Sequence, residues 1–398
     1  MTRINRCESQ HTFQRQRIAD DLWQRYGLLL KSVVLIVFLP FAVTMSSCKH
    51  RPPEASSSMD NHSPSYQPGD FLGSATCLSC HADIVKNFLQ TGHAQTFFDL
   101  KNSTMTQKWV GRHFADPERN VTFVYENRPA GGLQVTIPEK FGSQAFPLQY
   151  LLGSNQQAAT IITLVPGEDG ETACIEHRVS LFQDDLKLTP GQQGIRATEP
   201  VEEFGKLQSF DTADRCIGCH TTTHEIRNHQ LVNVIPNVQC EACHGPGREH
   251  VANAERGIAA SSLLSLKAET AQQVMKQIQA CGKCHRLPED LPPQQLTSES
   301  KQLARFQPAA LLQSACFKKS GGLLSCSKCH DPHLPSGSDT EKVVRSCLEC
   351  HAPETDDQVA CPVSSRQDCI RCHMPPIEVH SGVYFHDHWI RVRKPGKT

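Results

Sequence analysis

The chain has 398 residues, 38% of them hydrophobic, 6% aromatic and 20% charged, with 19 cysteines and 20 histidines. A formal net charge of −1 excludes a protein built to grip nucleic-acid backbones, which needs a strong basic excess. The apolar content is low for a chain of this length to fill its interior with side chains alone. The first expected element is an export signal: Arg15, Arg17, Arg25 and Lys31 precede an apolar run over 33–43. That run is short for a membrane span and Pro40 interrupts it.

The run ends at Met45-Ser46-Ser47-Cys48. Small residues before a cysteine are similar to the lipobox of bacterial lipoproteins, with Met where Leu is usual, so Cys48 is a lipidation candidate. A cleaved soluble chain and an uncleaved anchor are the alternatives, and all three place the protein outside the cytoplasm, on the periplasmic side. Residues 1–47 are read as this signal. Residues 48–69, rich in Pro and Ser, read as a tether. Without residues 1–47 the chain carries 34 positive and 38 negative side chains, a net of −4.

Beyond the tether, Cys-x-x-Cys-His occurs seven times, starting at Cys77, Cys216, Cys240, Cys281, Cys326, Cys347 and Cys369. This is the attachment signature of c-type haem: two thiols bond the macrocycle and the adjacent imidazole takes one face of the iron. The thioether cysteines are Cys77, Cys80, Cys216, Cys219, Cys240, Cys243, Cys281, Cys284, Cys326, Cys329, Cys347, Cys350, Cys369 and Cys372. The proximal ligands are His81, His220, His244, His285, His330, His351 and His373. Zinc is the rival reading, since paired CxxC knuckles hold it. Seven pairs leave one over, and zinc does not explain a histidine beside every pair. Seven covalently bound haems are therefore expected. Their apolar surface would supply the interior that the side chains lack, and their propionates would make the protein more acidic. That favours redox partners with basic docking surfaces.

The first motif stands alone over 70–107. A haem-free stretch over 108–205 follows, with β-branched and aromatic runs at 121–125, 133–137, 160–165 and 178–182 separated by Gly131-Gly132, Pro166-Gly167 and Pro190-Gly191. These predict a small antiparallel β insertion, expected to cover the first haem. The other six motifs crowd into 206–398. Helices are expected at 82–100, 266–280 and 298–315. The fold class read from this pattern is mainly α with much irregular structure, wrapped around seven haems.

Each iron has a second, distal face. Methionine is scarce, so a second histidine is expected there, which implies low reduction potentials. His224, His250 and His333 follow too closely on their own motifs to cross the macrocycle, so each would serve a neighbouring iron. The distal candidates are His93, His224, His250, His333, His380 and His388; His113, His177, His229 and His386 are weaker ones. Cys174, Cys316 and Cys361 are left over, and Cys316 with Cys361 is the candidate disulfide.

The segment Gly73-Ser-Ala-Thr-Cys77-Leu-Ser-Cys80-His81 with Gly92-His93 resembles the first-haem segment of the tetrahaem cytochrome c partner of hydroxylamine oxidoreductase and its larger multihaem relatives. So do Cys240-Glu-Ala-Cys-His-Gly-Pro-Gly-Arg-Glu-His250, Cys326-Ser-Lys-Cys-His-Asp-Pro-His333 and the ending from Cys369 through His380 to Asp387-His388-Trp-Ile. The resemblance implies that His250 and His333 ligate haems other than their own. Seven haems and the β segment depart from it, and no CxxCK motif is present. Two functions fit: an electron carrier with a closely spaced haem chain, or an oxidoreductase with one open haem acting on a small nitrogen or sulfur compound. The residues name no catalytic group, and the carrier is the preferred reading because no motif specifies a substrate.

Overall fold

The computed structural model describes residues 66–154, 157–167, 170–258, 263–352, 361, 363, 366–380 and 382–393. The signal, Cys48 and most of the tether lie outside the described residues.

Among the described residues fourteen strands form four antiparallel sheets, so the expectation of a mainly α fold is overturned. The strands are β1 (Phe97–Asp99), β2 (His113–Asp116), β3 (Val121–Asn127), β4 (Leu133–Thr136), β5 (Ala145–Leu148), β6 (Tyr150–Leu152), β7 (Ala159–Pro166), β8 (Thr172–Phe182), β9 (Asp185–Leu188), β10 (Gly205–Gln208), β11 (Thr221–Arg227), β12 (Gln230–Pro236), β13 (Pro376–His380) and β14 (Val383–His386). β2 to β5 make a four-stranded sheet. A six-stranded sheet runs β1-β6-β7-β8-β10, with β9 also paired to β8. β11 with β12 and β13 with β14 are hairpins.

The four- and six-stranded sheets pack face to face over Trp109, Phe123, Tyr125, Val135, Ile161 and Val179, all buried. β3 alternates buried and half-buried positions, as a strand covered on one face does. β7 does not alternate. Ile161 and Val165 belong to the core between the sheets, whereas Ile162 and Leu164 face the other way, against Ala213 and Ile217. Both faces of β7 are covered, hence its unbroken run of buried residues over 161–165. Pairing of β10 to β8 brings Gly205 so close that a Cβ there would lie 2.1 Å from the Glu176 carbonyl oxygen.

Two expectations change here. The six-stranded sheet begins at β1, before residue 108, and closes with β10, so its edges come from the sequence on both sides of the expected insertion. Its outer face packs against the helix that carries the second motif, through Ala213 and Ile217. Of the expected helices, the structure has Ala82–Phe88, Ala271–His285 and Gln307–Gln313.

The side-chain core thins sharply after the third motif. Beyond residue 240 the buried apolar residues among those described are Val274, Ile278, Leu291, Leu303, Ala304, Ala309, Ala310, Leu311 and Val383. Side chains this sparse leave the interior of the C-terminal half to something else.

Candidate functional site

Each Cys-x-x-Cys-His sits in or at the end of a helical turn. The seven helices are α1 (Ser74–Cys77), α2 (Phe210–His220), α3 (Cys240–His244), α4 (Ala271–His285), α5 (Cys326–Cys329), α6 (Thr340–His351) and α7 (Cys369–His373). In a helix, positions i, i+3 and i+4 share one face. The spacing therefore presents two sulfurs and an imidazole to the same side of the backbone. α4 is started by a capping box in which Thr270 accepts from Gln273 N, while the Gln273 side chain accepts from Thr270 N.

Four motif histidines face a second imidazole. His81 faces His250 with ring centroids 6.4 Å apart. His285 faces His93 at 6.1 Å, His244 faces His333 at 6.2 Å, and His330 faces His388 at 6.1 Å. An iron held between two imidazoles has metal–nitrogen bonds of about 2 Å and about 1.2 Å from each nitrogen to its ring centre, which sets the centroids about 6.4 Å apart. All four gaps match that length. The residues fit an axially ligated haem iron. Every pair also joins two different motifs, since the second imidazole never belongs to the motif it faces.

Several motif and candidate histidines have their Nδ1 atoms occupied. Carbonyl oxygens of Thr96, Leu264 and Arg391 accept from Nδ1 of His220, His244 and His373 at 3.0, 3.0 and 3.2 Å. His388 Nδ1 donates to the His386 carbonyl at 2.9 Å. Such bonds fix the tautomer and leave Nε2 as the metal-binding nitrogen. Burial lowers the pKa of His93, with the neighbouring His285 adding to the effect. It also lowers His220, His285 and His330. Burial takes His388 to about 4. Each is thus held in the neutral form that ligates metal.

The remaining candidates are engaged elsewhere. His224 lies over Gly218, with its Nε2 2.9 Å from Asp214 Oδ1 and its Nδ1 3.4 Å from Thr221 Oγ1. His380 stands beside the Phe182 ring at 5.9 Å. Among the weaker candidates, buried His177 donates from Nδ1 to the Phe204 carbonyl and accepts at Nε2 from the Tyr125 hydroxyl. His229 bonds Thr172 Oγ1 through Nδ1, and His386 donates to the Met374 carbonyl. His113 is on β2. No disulfide joins Cys316 to Cys361 among the described residues, so the expected bridge does not form.

Apolar and basic surfaces complete the surroundings. A cavity of about 400 Å³ beside α1 is walled by Ser74, Leu78, Val85, Phe88 and Leu89. A second, of about 650 Å³, opens beside Cys369 between Arg345, Arg366, Arg371 and His386. Apolar walls suit a macrocycle face, and guanidinium groups suit its carboxylate edge. No group of three or more Cys, His, Asp or Glu side chains converges as a metal cage among the described residues.

A residue that the sequence reading passed over joins the first and third motifs. Glu241, inside the third motif, is only 4% exposed. Its carboxylate accepts from the backbone N–H groups of Leu72 at 2.9 Å, Gly73 at 2.7 Å and Gly247 at 2.7 Å. One side chain thus fastens the approach to α1 and the Gly-Pro-Gly loop that leads to His250. A glutamate within a Cys-x-x-Cys spacer carries no recognisable signal in sequence.

Residues 191–245, which span the second and third motifs, match the family model described as cytochrome c554 and c-prime. The multiheme cytochrome MtrA of Shewanella baltica (strain OS185) is 25% identical over 216 residues, covering 45% of this chain and 64% of that protein. The chain thus spans less than two thirds of that relative's length. A crystal structure of the outer cell wall cytochrome OcwA overlays 82% of this chain and 81% of its own at a TM-score of 0.46 and 15% identity. That likeness is too loose to carry weight.

Proposed function

We propose that this chain, a multihaem cytochrome of the c type, is an electron carrier that holds seven covalent haems in a closely spaced chain. The observation that carries the proposal is the set of four facing imidazole pairs at 6.1 to 6.4 Å, each built across two motifs. Bound haem supplies one-electron chemistry, and bis-histidine ligation holds its potential low and closes the iron to substrates. The protein's part is to fix the separations. His250 and His333 each extend a few residues beyond one motif to meet the histidine of another, so neighbouring sites are tied by short peptides. His93 and His388 do the same over longer stretches. In this reading the thioether bonds form at the fourteen motif cysteines, and the seven motif histidines are proximal ligands.

The same reading places the chain outside the cytoplasm, held to a membrane through lipidated Cys48 or its apolar leader. Its partners are redox proteins with basic docking surfaces. Pyridine haemochrome analysis of the purified protein is expected to return seven haems per chain. Low-temperature EPR of the oxidised protein is expected to be dominated by low-spin signals. A sizeable high-spin signal would overturn the pure carrier and favour an oxidoreductase with one open iron.

A further inference from the structure

We infer that Thr96 is a positioning residue that ties the proximal imidazole of the second site (216–220) to the distal imidazole of the fourth (281–285). The inference rests on the electron-carrier reading, in which His220 is the proximal ligand of one iron and His93 the distal ligand of another. Thr96 and His220 are 124 residues apart in sequence, so no local rule brings them together.

Thr96 holds His220 at two points. His220 closes α2, where the last carbonyl groups of a helix have no partner within it. The Thr96 hydroxyl supplies one by donating to the His220 carbonyl at 2.9 Å, nearer than its other acceptor, the His93 carbonyl at 3.3 Å. The Thr96 carbonyl in turn accepts from His220 Nδ1 at 3.0 Å. One bond alone would let the ring swing about its side-chain torsions. Gripping backbone and ring together fixes the plane of the imidazole and the direction of Nε2.

The same residue is locked to His93, three positions earlier. Val238 N donates both to the His93 carbonyl at 3.1 Å and to Thr96 Oγ1 at 3.2 Å, so one N–H spans the short turn His93–Gln95. Phe97 N donates to Asn237 Oδ1 at 2.9 Å, and the Asn237 carbonyl accepts from Thr222 Oγ1 at 2.8 Å, two residues beyond His220. Gly153 N, beside β6, anchors the Thr96 carbonyl to the six-stranded sheet at 2.8 Å. His93 itself faces His285 of the fourth site at 6.1 Å. Cys219 Sγ lies 3.9 Å from the Lys283 carbonyl, which brings the same two sites together independently. A displacement of His93 on the fourth iron is therefore passed through Thr96 to the ring of His220. A shared Nδ1 proton makes an imidazole the stronger electron donor and favours ferric iron, so loosening the grip raises the midpoint of the second haem.

The test is NMR of the full-length holoprotein. Haem-methyl shifts of the oxidised state report the imidazole planes, and a haem-resolved redox titration reports the midpoints. Thr96→Val removes the hydroxyl and keeps the carbonyl. It is expected to keep seven haems by mass, to change the methyl pattern of one haem and to move that haem's midpoint upward. Thr96→Ser keeps the hydroxyl and should restore both readings. A Thr96→Val protein with every pattern and midpoint unchanged, or a Thr96→Ser protein that shifts as far, would overturn the proposal. His93→Ala gives a second route should Thr96→Val not mature: the fourth haem turns high-spin, and the methyl pattern of one other haem changes with it. Change confined to the haem that becomes high-spin would overturn the tie. Fewer than seven haems in the unmodified protein would instead break the carrier reading.

Discussion

His244 and His333 face each other with rings within 7° of parallel and centroids 6.2 Å apart, though each belongs to the surroundings of a different motif. The gap fits an iron and the ring planes suit two axial ligands of one haem. His333 also accepts a local constraint, since its backbone N–H donates to Asp331 Oδ1 at 2.9 Å and its Nδ1 lies 3.1 Å from the same oxygen. Replacing His333 with Ala should open the distal face of the third haem. The haem count should stay at seven while one haem's worth of high-spin signal appears in EPR. An unchanged low-spin spectrum would show that His333 is not the ligand.

Glu241 should matter for stability more than its place in a spacer suggests. Three backbone N–H groups point at its buried carboxylate. Glu241→Ala leaves them without acceptors and should cost about 2–4 kcal/mol, at the upper end for hydrogen bonds to a charged group. Chemical denaturation followed by circular dichroism measures it. Glu241→Gln keeps one acceptor oxygen and should lose less. Equal stability of all three proteins would contradict this role.

Arg178 is fully buried in β8 and pairs with Asp116, which is buried as well, and with Glu118 at 2.8 Å. Its Nη1 also donates to the Gln192 carbonyl at 2.7 Å. Arg178→Met leaves the Asp116 carboxylate buried without its cation and should destabilise the fold by about 3–5 kcal/mol. The double variant Arg178→Met/Asp116→Leu removes both charges and should recover much of that loss, as a double-mutant cycle in thermal unfolding would show.

The buried His177 should make the sheet layers sensitive to acid. Burial depresses its pKa from 6.5 to about 3, against a smaller upward pull from the Phe204 carbonyl. Its ring neighbours are Trp109, Phe123 and Tyr125, none of them charged. Between those two pH values the unfolded chain holds a proton that the folded chain does not. The contribution therefore declines as pH falls from 6.5 toward 3, by at most about 1.4 kcal/mol per pH unit, and is constant above 6.5. In His177→Gln the melting temperature should change less over that window than in the unmodified protein. Parallel pH profiles would rule the residue out as the cause.

Local chemistry was the legible part. Sulfurs and imidazole at i, i+3 and i+4 share a helical face whatever surrounds them, so the attachment frames could be read off residue by residue. The β-branched and aromatic runs of β3 and β7 were likewise visible, since such residues favour strands. The hairpin of β11 and β12 was missed. It turns at Asn228-His229, both with positive φ (50° and 60°), and its strands are rich in Thr and Val. A two-residue turn of that kind was a readable signal, obscured by the adjacent motif. The mainly α expectation failed for a related reason. Four of the seven motif helices are only four or five residues long, and strand pairing recruits β1 and β10 from segments assigned to haem attachment.

By itself the sequence determined how many Cys-x-x-Cys-His motifs this protein has and which imidazole each one offers, because those relations span five consecutive residues. Which second imidazole stands opposite, and which motifs touch, was decided only by the tertiary structure. His93 meets His285, and Cys219 meets Lys283, across long stretches of chain whose separation in sequence says nothing about distance. Those contacts depend on how the sheets, α2 and α4 pack. Packing is a property of the whole chain and not of the motif.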